Sequence, residues 1–317
     1  MTEDSKKESL AGLDRPLRIG TRQSPLAMAQ ATMAANALQS VHGWRPDQVE
    51  LVPMIASGDK ILDRSLADIG GKALWTKELD RALANGEIDC AVHSMKDVET
   101  IRPGVFIVAA MLERADIHDR LIGAGSIEAL ADKAIVGTAS PRRKAQLLRQ
   151  RSDLDIRLIR GNVQSRLQKI ADGEYDATLL AAAGLNRLEM EDVGSDISDE
   201  IMLPAPAQGA VGVEARTDDP HVRRLMRAIS STSTFRAVTA ERLFLERLTA
   251  DCHSPVAALA TIDGATVHLR AEILLPDGSE SIDGQSSFHT GDVSAPGNLA
   301  DKLLGQSSAK LKAVFGR

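Results

Sequence analysis

The feature that most constrains the fold is an alternation of short apolar runs with capped helical stretches, and the chain passes through it twice. A strand, turn, helix, strand order requires each helix to lie against a sheet face and makes the sheet largely parallel or mixed. Leu17 to Thr21 reads as a first strand. Ser24-Pro25 then supplies an N-cap followed by proline at the first helical position, and a helix is expected to about Ser40. Glu50 to Ile55 is a second strand, and Pro53 marks it as an edge or an irregularity because proline donates nothing to a ladder. A helix near Thr76 to Asn85, closed by Gly86, leads into a buried-looking strand from Ile88 to His93. After Asp116 the pattern returns. Strands are expected at 134–137, 155–159 and 176–181, with helices opening at Pro141 and Asn162.

The loop Met202 to Ala210, with two prolines and a glycine, separates this second unit from an apolar strand, Gly209 to Ala215, and reads as a crossing between units. Beyond a helix from Ser233 to Leu248 the apolar period changes to two, around turns at Asp263-Gly264 and Pro276-Asp277-Gly278. That predicts antiparallel hairpins packed on a final helix from about Asn298 to Phe315. The expected fold is therefore α/β, with two periplasmic-binding-protein-like α/β domains around a cleft and a small α+β C-terminal domain. The expected boundaries are a disordered tail at 1–14, domain 1 at 15–113 with 206–230, domain 2 at 114–205 and domain 3 at 231–317.

Charge narrows the function. The whole chain carries −6, which argues against a nucleic-acid binder, and its eight aromatics offer few surfaces on which bases could stack. The window 142–170 reverses that sign. Arg142, Arg143, Lys144, Arg149, Arg151, Arg157, Arg160, Arg166 and Lys169 face only Asp153 and Asp155, a net +7. Arginine prevails over lysine there, which favours bidentate recognition of carboxylate or phosphate.

Ligands of α/β sheets collect at the carboxyl ends of the strands, so the residues after each strand matter most. These are Arg22 and Ser24; Ser94, Lys96 and Asp97; Thr138, Ser140, Arg142 and Arg143; and Arg160, Gly161 and Asn162 with Arg166 one turn along. Taken singly, each has an ordinary structural explanation, a helix cap or a solvated charge. Donors at four strand ends make coincidence a poor account. Asp97, beside Lys96 in a cationic surround, is placed to stay ionised and to act electrostatically or in acid–base work. Of the two cysteines, Cys90 falls in a strand and reads as core. Cys252 lies in a polar turn, Ala250 to Pro255, where an accessible thiol or thiolate could attack or carry an adduct, with His253 beside it. No dinucleotide, P-loop or zinc motif occurs, and no metal is expected. A polar, mixed-charge start without an apolar signal core, and no run of roughly 20 apolar residues, lead us to expect a cytoplasmic protein that does not enter a membrane.

Six segments, TRQSPLA (21–27), GGKALWTKELD (70–80), DCAVHSMKDV (89–98), GTASPRR (137–143), RGNVQSRL (160–167) and LPAPAQGAVG (203–212), resemble in order and spacing the signatures of the hydroxymethylbilane synthase (porphobilinogen deaminase) family. The resemblance implies head-to-tail condensation of four porphobilinogen molecules into hydroxymethylbilane with loss of ammonia. It implies a dipyrromethane cofactor, built from two substrate units and held by a thioether to Cys252. Each ring brings an acetate and a propionate, which accounts for the arginines. Asp97 is similar to the family's catalytic carboxylate, which stabilises positive charge as ammonia leaves and the azafulvene electrophile is attacked. The resemblance assigns Ser94, Lys96, Thr138, Ser140, Arg142, Arg143, Arg160, Gly161 and Gln208 to the cofactor. It assigns Arg22, Ser24, Arg160, Arg166, Arg187 and Lys72 to substrate, with Trp75 on a segment over the cleft, and it implies a monomer. Departures are Ala139 and Pro141 in GTASPRR, Ala250-Asp251 where a glycine pair is usual, and Asp68 where some relatives have lysine. A two-domain small-anion binding protein is the alternative reading; the Cys252 loop disfavours it.

Overall fold

A computed structural model describes residues 15–55 and 76–316. The first stretch forms β1 (Leu17–Arg22), α1 (Pro25–His42), β2 (Val49–Met54), α2 (Lys77–Ala84), β3 (Cys90–Ser94) and β4 (Phe106–Met111). The second forms β5 (Asp119–Ile122), β6 (Ile135–Gly137), α3 (Pro141–Gln150), β7 (Asp155–Arg157), α4 (Val163–Ala171), β8 (Ala177–Ala181), α5 (Ala182–Asn186) and β9 (Ser195–Ile197). The last forms β10 (Val211–Arg216), α6 (Pro220–Arg227), α7 (Thr232–Leu248), β11 (Val256–Asp263), β12 (Thr266–Leu274), β13 (Ser281–His289), α8 (Ala295–Gln306) and α9 (Ala309–Val314).

Two five-stranded sheets result, in the orders β2-β1-β3-β10-β4 and β7-β6-β8-β5-β9, with a third, three-stranded antiparallel sheet β11-β12-β13. The expected class holds: two α/β units face one another and a small α+β unit follows. In the first sheet β1, β2 and β3 run parallel and β10 enters antiparallel between β3 and β4. In the second, β6 is parallel to β7 and β8, while β5 is antiparallel to β8 and β9. Each sheet therefore presents parallel carboxyl ends on one side, and the loops that follow them line the cleft.

Local sequence explains most of these elements. Ser24 caps α1 and Pro25 is its first residue, while Gly43 closes it in the left-handed conformation. β2 is an edge strand, which is where Pro53 is tolerated. The apolar face of α1, Ala31, Ala34 and Leu38, packs on Leu17, Ile19, Val92 and Val213 of the sheet. The C-terminal unit closes over its own core, with Phe244 and Leu248 of α7 against Leu269 and Ile273 of β12 and Leu299 and Leu303 of α8.

The strands β4, β5 and β9 and the helices α5 and α6 have no counterpart among the expected elements. The single final helix expected from Asn298 is two helices. Ser307 turns its hydroxyl back to the Leu303 carbonyl, and Ser308 caps α9 by accepting from the Leu311 N–H. Such hydroxyls stop one helix and start the next.

The chain crosses between the first two sheets after β4 and again before β10. The crossings lie side by side, with the Ala115 N–H on the Gly209 carbonyl at 3.2 Å and the Leu112 N–H on Val211 at 3.0 Å. Gly212, on β10 opposite His93, has no room for a Cβ because the Met95 side chain fills the space. That close approach seats the 3-10 turn Met95–Asp97 at the mouth of the cleft.

Candidate active site

A cleft of about 740 Å³ opens between the two α/β sheets, and loops from all three units line it. From the first sheet come Arg22 and Ser24 after β1, and Ser94, Lys96 and Asp97 after β3. From the second come Ser140, Arg142 and Arg143 at the start of α3, Arg160, Gly161 and Arg166 around the start of α4, and Arg187 after α5. Gln208 of the crossover and Asp251, Cys252 and His253 of the C-terminal unit complete it. The sequence-predicted set thus converges on one cleft, with two exceptions. Thr138 does not line it; its hydroxyl accepts the Ser140 N–H at 3.1 Å and shapes the turn from behind. Lys72, like Trp75 and Asp68, lies outside the described residues.

Arg142 and Arg143 are buried rather than solvated, and the residue responsible, Asp119 at the start of β5, was not among the sequence candidates. Its carboxylate takes Arg142 Nη2 at 2.8 Å and Arg143 Nη2 at 2.7 Å, with Gln208 Nε2 at 2.8 Å. The remaining terminal nitrogens reach Gln146 and the Leu203 and Leu179 carbonyls. Burial works to raise the Asp119 carboxyl, but the two guanidinium groups outweigh it and hold it well below the usual carboxylate range. The group keeps one net positive charge, with both Nε atoms buried and unpartnered. Two adjacent arginines packed in a core call for a buried acid, but only the fold shows that these two are buried, so no sequence signal pointed to Asp119.

The helix starts do more than present charge. Ser140 caps α3 by accepting from the Arg143 N–H, and Pro141 occupies the first helical position without conflict. Asn162 caps α4. Gly161 has φ +115°, and a Cβ there would collide with the Ser165 hydroxyl. Its carbonyl accepts from Arg166 Nε at 3.0 Å, which orients that guanidinium. Ser94 exchanges hydrogen bonds with Gln30 of α1 at 2.8 and 3.1 Å.

Eight cationic side chains line the cleft against two carboxylates, Asp97 and Asp251. Burial first, and neighbouring charge second, sets their acidities. Burial, then Arg143 and Arg142, lowers Lys96 to about 8 against the pull of Asp97 and Asp119. Burial with Arg143 and Arg160 lowers Arg166 to about 10, and burial alone takes Arg187 to about 10. Such a group is short of anions, and ligand carboxylates would relieve it.

Cys252 is exposed to the cleft at its C-terminal wall. The Asp251 carboxylate accepts the His253 N–H at 2.8 Å and the Asp251 N–H reaches the Ser254 hydroxyl at 3.2 Å, so the loop closes without a glycine pair. The surrounding walls, then Asp97, Asp251 and Glu99, push the thiol up to about 12. Of the thiol and the thiolate that the sequence left open, this surround favours the neutral thiol.

The family model described as porphobilinogen deaminase, dipyrromethane cofactor binding domain, matches residues 17–224, and that of the porphobilinogen deaminase C-terminal domain matches 235–305. The chain belongs to the porphobilinogen deaminase family. A porphobilinogen deaminase of Sphingopyxis alaskensis is 52% identical over 313 residues, 96% of this chain and 98% of that protein. The one from Paracoccus denitrificans is 46% identical over 298 residues, 93% and 95% of the two chains. Among solved structures, the periplasmic VFT2 domain of Bordetella pertussis BvgS aligns with TM-score 0.40 and 13% identity over 76% of this chain and 97% of that chain.

Proposed function

We propose that this cleft is the active site of a hydroxymethylbilane synthase, a transferase that condenses four porphobilinogen molecules head to tail and releases ammonia at each addition. The observation that carries the reading is the meeting of one cysteine, one catalytic-type carboxylate and an anion-poor arginine cluster in a single cleft. The residues fit a dipyrromethane: Cys252 offers a thiol for the thioether, and the arginines that line the same cleft outnumber its carboxylates. When bound, the dipyrromethane supplies the pyrrole carbon on which the chain is extended.

Each residue has a stated task in this reading. Lys96, Ser94, Ser140, Arg142, Arg143 and Arg160 hold cofactor carboxylates, with Thr138, Gly161 and Gln208 fixing the loops that present them. Arg22, Ser24, Arg160, Arg166 and Arg187 hold those of substrate. Asp97 keeps a fixed negative charge where cationic character grows on the substrate as its amine departs. A preorganised anion in a water-poor cleft lowers that barrier without reorganisation. Asp119 holds its two arginines so that they do not shift when ligand carboxylates arrive. The same reading takes 15–113 with 206–230 and 114–205 as the cleft walls and 231–317 as the cofactor-bearing unit. It also places the enzyme in the cytoplasm as a monomer. Among the described residues no helix is long and apolar enough to cross a membrane.

Intact mass tests this. The purified protein is expected to exceed its sequence mass by one dipyrromethane, and Cys252→Ser to lose the excess. Asp97→Ala should keep the adduct and turn over porphobilinogen at least a hundredfold more slowly. An unmodified mass in fully active protein would refute the assignment.

A further inference from the structure

The segment that follows Asp97 is fastened to the C-terminal unit from two directions. Arg242 of α7 sends Nη1 to the Val98 carbonyl at 3.2 Å, and Nη2 to those of Glu99 and Thr100 at 2.5 and 2.9 Å. The Thr100 hydroxyl donates to the Ala250 carbonyl at 2.8 Å, two residues before Cys252. Three consecutive carbonyls after the catalytic carboxylate are thus held by one guanidinium, and the same segment reaches the loop that carries the cofactor cysteine. Arg242 lies on the helix that leads into that loop.

This arrangement is energetically costly. Burial lowers Arg242 from its ordinary value, and the hydrogen bonds of its terminal nitrogens go to carbonyls rather than to a carboxylate. With those nitrogens engaged on the 98–100 backbone, Arg242 stands in the cleft wall and ties it to the first unit. What the contacts provide is geometry. The 95–97 turn and the 250–254 loop belong to different units, and Arg242 and Thr100 cross directly from one to the other.

Building on the function proposed above, we infer that Arg242 and Thr100 are positioning residues. They fix the separation between Asp97 and the Cys252 anchor, so that these two points move as one body while the arginine wall of the second sheet takes up the lengthening chain. Neither residue touches the reacting atoms in this scheme. They act through the backbone that carries Asp97 and through the loop that carries Cys252.

The test uses the cofactor-bearing enzyme and four variants. Thr100→Val keeps the shape and removes the donor; it is expected to lower kcat about fivefold with KM for porphobilinogen within about twofold, as loss of one hydrogen bond implies. Thr100→Ser keeps the hydroxyl and should restore kcat. Arg242→Gln should lower kcat at least tenfold, Arg242→Lys should recover part of it, and the Thr100→Val/Arg242→Gln double variant should fall short of the product of the single effects because both loosen one tie. Wild-type kcat in Thr100→Val, checked by intact mass to carry dipyrromethane, overturns the inference. An effect of Arg242→Gln on KM alone also overturns it and makes Arg242 a carboxylate ligand. If Arg242→Gln does not fold, the Thr100 pair decides alone. Absence of the dipyrromethane mass from the wild-type enzyme instead refutes the function on which the inference rests.

Discussion

The acidity of Cys252 makes a quantitative prediction about the cofactor-free protein. At pH 8 an ordinary cysteine, with pKa about 8.5, is roughly one-quarter thiolate, whereas a thiol held near 12 is ionised about one part in 10⁴. The deficit is on the order of two thousandfold. A more basic thiolate is also a better nucleophile, and with a Brønsted slope of about 0.45 the rise of some 3.5 pH units returns a factor of about forty. The net expectation is alkylation by iodoacetamide on the order of fiftyfold slower than for an unperturbed thiol, and still rising with pH through pH 10. The perturbation that probes the cause is Asp251→Asn, which removes one of the three carboxylates behind the shift and should speed alkylation several-fold at fixed pH. Mass spectrometry of timed samples reads the rate, and Cys90, buried in β3, serves as an unreactive internal control. A rate profile with a midpoint near 8.5, unchanged by Asp251→Asn, would refute the reasoning. The chemical consequence is selective: a site that resists ionising its thiol favours attachment to a strongly electrophilic carbon carrying positive charge, which the same carboxylates attract.

Four further outcomes are expected. Asp119→Asn leaves Arg142 and Arg143 buried beside a neutral amide and should cost about 3 kcal/mol in urea denaturation; a cost below about 1 kcal/mol would mean that the two guanidinium groups find other partners. Lys96 titrates near 8 in the empty cleft, so between about 8 and 10.4 the unfolded chain binds more protons than the folded one and the stability of cofactor-free protein should rise with pH. Over the same window Lys96 loses its charge, so reconstitution by porphobilinogen should slow above about pH 8 in the wild type and stay level in Lys96→Arg. Gly161→Ala should raise KM for porphobilinogen about tenfold by displacing Arg160 and Arg166; adding Ser165→Ala should not restore it, since the backbone at φ +115° remains strained, and full recovery would show that only the steric contact mattered.

What the sequence revealed follows the range of the interactions. Ser24-Pro25, Ser140-Pro141 and Asn162 act within one helical turn, and each marks a real helix start. Pro53 marked its strand as an edge or an irregularity, because proline's missing donor is a local fact, and the strand is an edge. Asp119 carries no local signature: its partners are 23 and 24 residues away, and it opens a four-residue strand, DRLI, too short to show a period. Ser307 and Ser308 interrupt an apolar pattern that reads as continuous, because the residues after them resume a helical period on the same core. The cleft arginines were legible as a charge window, but which were buried was not. That depends on which strand of the second sheet lies beneath them.

The order of strands in the first sheet also dictates an order of assembly. β4 pairs only with β10, and β3 has β10 as its second neighbour, yet β10 lies beyond every strand of the second sheet. During synthesis at roughly 5–20 residues per second, the segment bearing Ser94 to Asp97 waits about 6–25 seconds with one flank open. The second sheet has all its strands by Ile197 and can close meanwhile. A newly made chain thus holds every strand of its middle sheet before the last strand of its first, and the β3 flank is the edge left open in that interval.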